Sequence, residues 1–414
     1  MPGFTTLLPP QEAKDRFARV YTPRPRGAER VALDEAFGRV LARDAVAPDD
    51  LPAFDRSTVD GYAVRAEDVA AASAAHPLGL TLVGEVLMGH PAPRTVGPGE
   101  TLRIPTGGML PGGADAVIML EDVDVRDTRT IAVRRPARPG ENVIRRAEDV
   151  SRGEVALRQG VRLRPQDVGL LAAIGVTEVE VFLRPRVAIL ATGDEIVPPD
   201  RLPSTGQVRD VNTYALAALV RQEDALPRAY GIIEDDYGVL LRTLADARAT
   251  SDLVLVSGGS SVGEKDAVAR AIGDLGRPGV IVHGVNIKPG KPTVLALVDG
   301  TPIIGLPGHP VSSMVIFDVF VRDLLRGLAG QTRAHAFGRV LRARLARRIP
   351  SDGKREDHIR VCLEERADGL WAIPVLGKSG IITTMTRADG VVIVPAGQPF
   401  VDEGAEVEVH LFES

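Results

Sequence analysis

The chain of 414 residues holds one cysteine, Cys362, which excludes an intrachain disulfide or a thiolate zinc cluster and makes a reducing compartment the economical expectation. An excess of either charge is also missing. Fifty lysines and arginines face 55 acids, a formal net charge of −5, so no chain-wide field favours nucleic acid and any anion site must be local. No apolar run approaches the roughly 18 residues of a membrane span. The opening Met1-Pro-Gly-Phe-Thr-Thr-Leu-Leu-Pro-Pro10 has neither a basic leader region nor a long apolar core, so a soluble, cytoplasmic protein with no membrane partner is expected. Lysine itself is scarce. Only six of the 50 basic residues are lysines (Lys14, Lys265, Lys288, Lys291, Lys354 and Lys378), and three of them fall between positions 265 and 291.

What is present reads as several globular modules without internal repeats or low-complexity tethers, which therefore pack together. Helix-period apolar spacing occurs over residues 10–20 and 33–43, and Pro48 and Pro52 stop it. From about 51 to 135, short β-like runs (Leu80–Leu87, Ala116–Leu120, Thr130–Val133) alternate with Gly and Pro clusters, a small β-rich module. A second helical stretch covers Gln166–Ala173. Beyond Pro185, strand-like Arg186–Ala191 and Asp252–Val256 alternate with helical Tyr214–Val220 and Val311–Leu328, arguing for a parallel sheet with right-handed crossovers. Five short strands then return after about residue 335: Phe337–Leu345, Ile359–Leu363, Leu370–Val375, Val391–Val394 and Val407–Leu411. The domain expectation is 1–46 with 140–180 as a discontinuous helical or linking unit, 47–139 as the inserted β-rich domain, 181–327 as the α/β domain and 328–414 as a terminal β domain.

Ligands of open parallel sheets bind beyond the carboxyl ends of the strands, so the loops after the two clearest strands are the first places to look. Thr192-Gly-Asp194-Glu195 follows one, and Ser257-Gly258-Gly259-Ser260-Ser-Val-Gly-Glu-Lys-Asp266 follows the other. The second could cradle an oxyanion with backbone N–H groups, although Glu264 stands where a Walker lysine would, and a plain tight connection fits as well. Carboxylates of Asp194, Glu195 and Asp266 suit a hard cation such as Mg²⁺, or they cap the next helix. Lys288-Pro-Gly-Lys291-Pro292 presents two ammonium groups from a stiff loop to a phosphate or another tetrahedral dianion, or is simply a solvated turn. In Pro307-Gly-His309-Pro310-Val-Ser312-Ser313, a serine in the first helical turn could meet an anion, and His309, lacking any metal spacing around it, reads as structural. Asp55 and Asp60 flank small hydroxyl residues, and Pro105-Thr106-Gly-Gly-Met-Leu-Pro-Gly-Gly113 is another glycine-rich loop that could be a β-turn.

Seven segments, most of them those above, recur together in one family. In the order Asp60-Gly-Tyr-Ala, Pro105-Thr-Gly-Gly, Ala191-Thr-Gly-Asp-Glu, Gly206-Gln-Val-Arg, Ser257-Gly-Gly-Ser-Ser-Val-Gly, Lys288-Pro-Gly-Lys-Pro and Gly305-Leu-Pro-Gly-His-Pro-Val-Ser, the chain resembles the MoeA molybdopterin molybdenumtransferases and the E domain of gephyrin from about Leu51 to Gly390. The resemblance implies four domains, the third of the doubly wound molybdopterin-binding type, in an elongated homodimer. It implies Mg²⁺-dependent insertion of molybdate into adenylylated molybdopterin with release of AMP, and a transient contact with the adenylyltransferase that makes that substrate. By resemblance Asp60, Glu195, Asp266, Lys288 and Lys291 are catalytic, with Glu195 and Asp266 as the Mg²⁺ ligands. Thr106, Asp149, Asp235 and Ser379 join Ser257, Gly258, Gly259, Ser260, Pro307, His309, Pro310 and Ser312 as substrate contacts. The chain departs from the family pattern at His309 and Arg56, where asparagine is frequent, and at Ala147, where glycine is. A molybdopterin adenylyltransferase would account for about 181–327 alone, whereas motifs also lie outside those limits. A scaffold of the gephyrin kind is expected to carry a long linker or an appended domain, and the sequence shows neither.

Overall fold

The computed structural model describes residues 7–258, 264–332 and 340–412, with backbone only at 264–266. At its centre is a six-stranded sheet built from β1 Arg186–Thr192, β2 Leu226–Ile233, β3 Leu253–Gly258, β4 Pro278–His283, β5 Val294–Val298 and β6 Thr301–Leu306 in the order β2-β1-β3-β6-β5-β4. The first four strands in that order are parallel, whereas β6, β5 and β4 are joined antiparallel. The expected parallel sheet is therefore mixed at one edge. The turn at Asp299-Gly300 lets β5 fold straight back onto β6, with no crossover helix.

Burial on both faces explains why β1 and β3 read as unbroken apolar runs. Val187, Ile189, Leu253 and Leu255 share one core with Leu216 of helix Asn212–Gln222 and with Phe317, Val321 and Leu325 of the last central helix. Ala188, Leu190, Val254 and Val256 point the other way into a core with Leu240 and Leu244 of helix Tyr237–Thr250 and Ile272 of helix Glu264–Leu275. Successive residues thus face opposite helical layers, the doubly wound arrangement. The last helix runs Pro310–Ile316, loosens into a π-helical stretch Phe317–Val321 and resumes as Arg322–Leu328.

The N-terminal region forms separate cores. Tyr62, Val64, Ile118, Ile131 and Val133 fill a six-stranded β module whose Gly61 is forced by proximity: a Cβ there would lie 2.0 Å from the Ile118 carbonyl oxygen. Val31, Leu41, Val150, Leu171 and Val181 form another core from both flanks of that insertion. The helix expected over 33–43 is absent. A three-residue 3₁₀ turn, Leu33–Glu35, ends before Gly38 at φ +79°, and Val40 and Leu41 then run extended, bridging Arg162 and Val181. Helical spacing there reflected two adjacent apolar residues that the chain buries in extended form. In the C-terminal β domain, Val340–Leu345, Glu356–Arg366, Gly369–Pro374, Gly390–Val394 and Glu406–Leu411 sit where strands were expected. The described part of the first of these begins at Val340, the rest of the expected run lying outside the described residues.

Candidate active site

The carboxyl ends of β1, β3 and β6 lie side by side, with Thr192 opposite Gly258 and Ser257 opposite Leu306. Gly258 is demanded by this closeness. A Cβ there would meet the Thr192 carbonyl oxygen at 2.2 Å, and its φ of +143° is strained for any L side chain. Past β1, the Glu195 carboxylate folds over Gly193, is exposed and makes no ion pair or side-chain hydrogen bond among the described residues. Its neighbour Asp194 instead accepts a hydrogen bond from the Asp235 backbone N–H at 3.0 Å, joining the loops after β1 and β2, while Asp236 caps helix Tyr237–Thr250 through Val239 N–H. Gly259 and Ser260 fall outside the described residues, as does the side chain of Asp266.

The C-terminal domain is joined directly to the turn after β4. Lys288 is the second residue of a two-residue parallel pairing with Glu356-Asp357, and its Nζ donates to the buried Asp357 Oδ2 at 2.7 Å. This corrects the picture of Lys288 as a purely solvated point charge: the turn is stitched to a neighbouring strand and the ammonium already has a carboxylate. Lys291 is exposed, and its carbonyl accepts from Val285 N–H. Ser312 and Ser313 are both buried, and the Ser313 hydroxyl donates to the Pro307 carbonyl, so that hydroxyl closes the turn and does not meet solvent. His309 Nδ1 lies 2.8 Å from Ser379 Oγ, and Val311 N–H donates to the Ser379 carbonyl, so the head of the last helix is held against the loop that carries Ser379.

Asp60 is elsewhere. Its Oδ1 accepts from the Thr106 backbone N–H at 2.7 Å and from the Thr106 hydroxyl at 3.0 Å, and these bonds, with the nearby Arg103, hold the carboxyl below the usual aspartate range. The two expected site residues of the β-rich module are thus brought together, and among the described residues neither side chain bonds to the central loops of the same chain. Asp149 is exposed on the connection out of that module, its N–H donating to the Leu51 carbonyl, while Asp55 accepts from Arg146 N–H and from Arg145. Arg56 forms a bridge with Met109, its Nε buried without a hydrogen-bond partner. Ala147 has φ +62°, a left-handed conformation that glycine adopts without a steric cost, which gives the departure at this position a physical meaning.

Two residues escaped the reading of the sequence. Arg360, on the long strand beside Asp357, is buried with Nε unpaired while Nη2 donates to the Gly377 carbonyl, beneath the Lys378-Ser379 loop; burial pushes its guanidinium below the ordinary arginine value. Asn212 sits between the ends of β3 and β6. Asn212 lies in no glycine-rich or charge-dense motif, whereas Arg360 ends the charged run Lys354-Arg-Glu-Asp-His-Ile-Arg360, a signal that could have drawn attention to it.

The same order of regions appears in known families. Residues 8–175 match the family described as MoeA N-terminal region (domain I and II), 188–327 a probable molybdopterin binding domain, and 342–412 the MoeA C-terminal region (domain IV). A molybdopterin molybdenumtransferase of Nostoc sp. is 36% identical over 92% of this chain and 88% of its own length. The chain belongs to the molybdopterin molybdenumtransferase family. A second family member, molybdopterin molybdenumtransferase 2 of Mycobacterium tuberculosis, is 38% identical over 74% of this chain and 77% of its own. The crystal structure of the molybdopterin biosynthesis MoeA protein of Pyrococcus horikoshii superposes with a TM-score of 0.84 at 34% identity, covering 98% of this chain and all of that one. The expected multidomain fold, an α/β centre with β-rich modules on either side, is the family's. No helix among the described residues is long and apolar enough to cross a membrane.

Proposed function

We propose that this chain inserts molybdate into adenylylated molybdopterin with release of AMP, in a Mg²⁺-dependent reaction that uses the strand-end loops of the central sheet and the adjoining C-terminal domain. The observation that carries the reading is the alignment of three strand ends, one followed by a Glu195 carboxylate that is exposed and unpaired among the described residues, in a domain whose Lys288 is bonded to the C-terminal domain. Mg²⁺ takes oxygen ligands and is held by one or two carboxylates plus substrate phosphates. Glu195 fits that donor chemistry, and Asp266 is the second candidate; among the described residues there is no ready-made group of three His, Cys, Asp or Glu side chains. The cation supplies charge neutralisation at the phosphates.

The chain's own residues do the rest. The strand-end loops cradle the adenylyl phosphate through backbone N–H groups. Lys288, Lys291 and the buried Arg360 supply the positive potential for a tetrahedral oxyanion, with His309 and Ser379 at its rim. Asp60 and Thr106, which among the described residues bond to each other and not to the central loops, reach the reaction from a second subunit of a homodimer. The assay is molybdate-dependent AMP release from adenylylated molybdopterin. Glu195→Gln and Asp266→Asn should abolish it while retaining the fold, and near-normal turnover of both at limiting Mg²⁺ refutes the cation role. Mg-ATP-dependent adenylylation of molybdopterin by the isolated protein, with no molybdate-dependent AMP release, would favour an adenylyltransferase instead. Partner-peptide binding without AMP release would favour a scaffold.

A further inference from the structure

Asn212 opens helix Asn212–Gln222 after the long loop from β1, and its side chain reaches beneath the ends of two other strands. Nδ2 donates to Ser257 Oγ at 2.6 Å, at the end of β3, and to the Gly308 carbonyl at 2.7 Å, in the turn after β6. One carboxamide therefore ties together elements that follow β1, β3 and β6. Ser257 and Leu306 pair on neighbouring strands, about 4.8 Å apart in a sheet, so the tie fixes the spacing of the two strand ends. The helix start is itself fixed, because Asp210 Oδ1 accepts from Thr213 N–H.

The orientation of the amide is determined by its surroundings: turning it over would set Oδ1 against the Gly308 carbonyl, acceptor facing acceptor. As it stands, Oδ1 is buried and has no hydrogen-bond partner, while the residue is only 7% exposed. An unpaired buried acceptor is a standing cost to the fold, and an apolar side chain of similar volume would not carry it. The two donors therefore have to matter. Accepting from Nδ2 also leaves the Ser257 hydroxyl hydrogen available to donate to another group.

We propose that Asn212 is a positioning residue for the phosphate end of the adenylylated substrate: it fixes the separation of the Ser257-Gly258 and Pro307-Gly308 segments and sets the Ser257 hydroxyl as a donor. This rests on the AMP-releasing reading above. It is a preorganising role, in which donors are held at the spacing the ligand needs before it arrives, and small misplacements are expensive.

Two variants separate the two arms. Asn212→Asp keeps the shape and can still accept from Ser257, but at neutral pH it offers a carboxylate to the Gly308 carbonyl. Ser257→Ala removes only the other arm. With AMP alone as the probe in titration calorimetry, N212D should bind at least about tenfold more weakly than the wild type at pH 8 and S257A about threefold more weakly. Burial against the Gly308 carbonyl raises the carboxyl introduced by N212D well above the free aspartate value of about 4, so lowering the pH to 5 favours its protonated form, which can donate to Gly308, and its deficit relative to wild type at the same pH should shrink to within about threefold. The buried carboxylate should also lower the urea midpoint of N212D at pH 8, so binding is read where both proteins are fully folded, a condition under which lost global stability alone leaves the AMP dissociation constant unmoved. Asn212→Ala carries the same expectation of weak binding, without rescue, should N212D fail to fold. Wild-type AMP binding matched within twofold by N212D and N212A overturns the proposal, and so does a deficit in N212D that is the same at both pH values. If the wild type itself binds no AMP, the functional reading fails. The positioning claim is then decided by hydrogen exchange, which should accelerate over residues 305–313 in N212D and nowhere else, and an unchanged exchange pattern overturns it.

Discussion

Lys288→Ala separates the two partners this lysine can have. Its Nζ is 2.7 Å from Asp357 Oδ2, and the Asp357 side chain is 2% exposed while that of Lys288 is 41% exposed. At an effective dielectric constant of about 20, unit charges at that distance attract by roughly 6 kcal/mol, most of it offset by the desolvation of Asp357. Removing one partner of a fully buried pair costs about 3–5 kcal/mol. Water can reach the vacated ammonium position, and Ser351 Oγ remains 3.4 Å from the carboxylate, so the expected loss is about 2–3 kcal/mol. For a cooperative unit of this size that is roughly 4–12 °C in Tm. Asp357→Asn leaves no charge stranded and should cost less, and adding it to Lys288→Ala should recover about half the loss, a coupling visible in a double-mutant cycle by urea denaturation. The functional arm runs the other way. Molybdate saturation should weaken in Lys288→Ala and hold or tighten in Asp357→Asn, where the ammonium is released to an incoming oxyanion. An unchanged Tm in Lys288→Ala refutes the ion-pair argument, and equal weakening of molybdate saturation by both substitutions refutes the oxyanion role.

Asp60→Asn tests the bond to Thr106 by pH: a carboxyl lowered in the folded state stabilises fully above its unfolded pKa of about 4, and that contribution disappears as pH falls through the lower folded value, so the Asn variant should lack this part of the acid sensitivity in Tm measured from pH 2 to 5. Ala147→Gly relieves a left-handed alanine and should raise stability by up to about 1 kcal/mol in chemical denaturation. Gly258→Ala should do the opposite, costing at least about 3 kcal/mol, because its Cβ would meet backbone of the adjacent strand. Mixing Asp60→Ala with Asp266→Ala chains should restore roughly a quarter of wild-type activity if one subunit's β-rich module completes the other's central site, since about half the dimers are mixed and each has one intact site. Inactive mixed dimers, verified by mass, would place both residues in the same chain's site.

The sequence by itself determined the elements with uniform burial. β1 and β3 are apolar on both faces, so their residues carry a strand signal that no neighbour is needed to interpret, and the glycine-serine and aspartate loops could be located from where those strands stop. The short C-terminal strands were legible for a similar reason, their apolar residues being spaced for a sheet. Residues 33–43 misled because local spacing cannot tell a helix from an extended segment buried by remote partners, here Arg162 and Val181. The antiparallel edge of the central sheet was equally hidden, since pairing direction depends on which strands meet and not on their own composition. Within the candidate site, the acids and lysines announced themselves by type and spacing, but their partners did not. Asp357 lies 69 residues from Lys288, Ser379 lies 70 from His309, and Asn212 lies 45 from Ser257. Tertiary structure decided those pairings, because a hydrogen bond or an ion pair depends on separation in space, and only the packing of the C-terminal domain and the central helices against the sheet brings these atoms within reach.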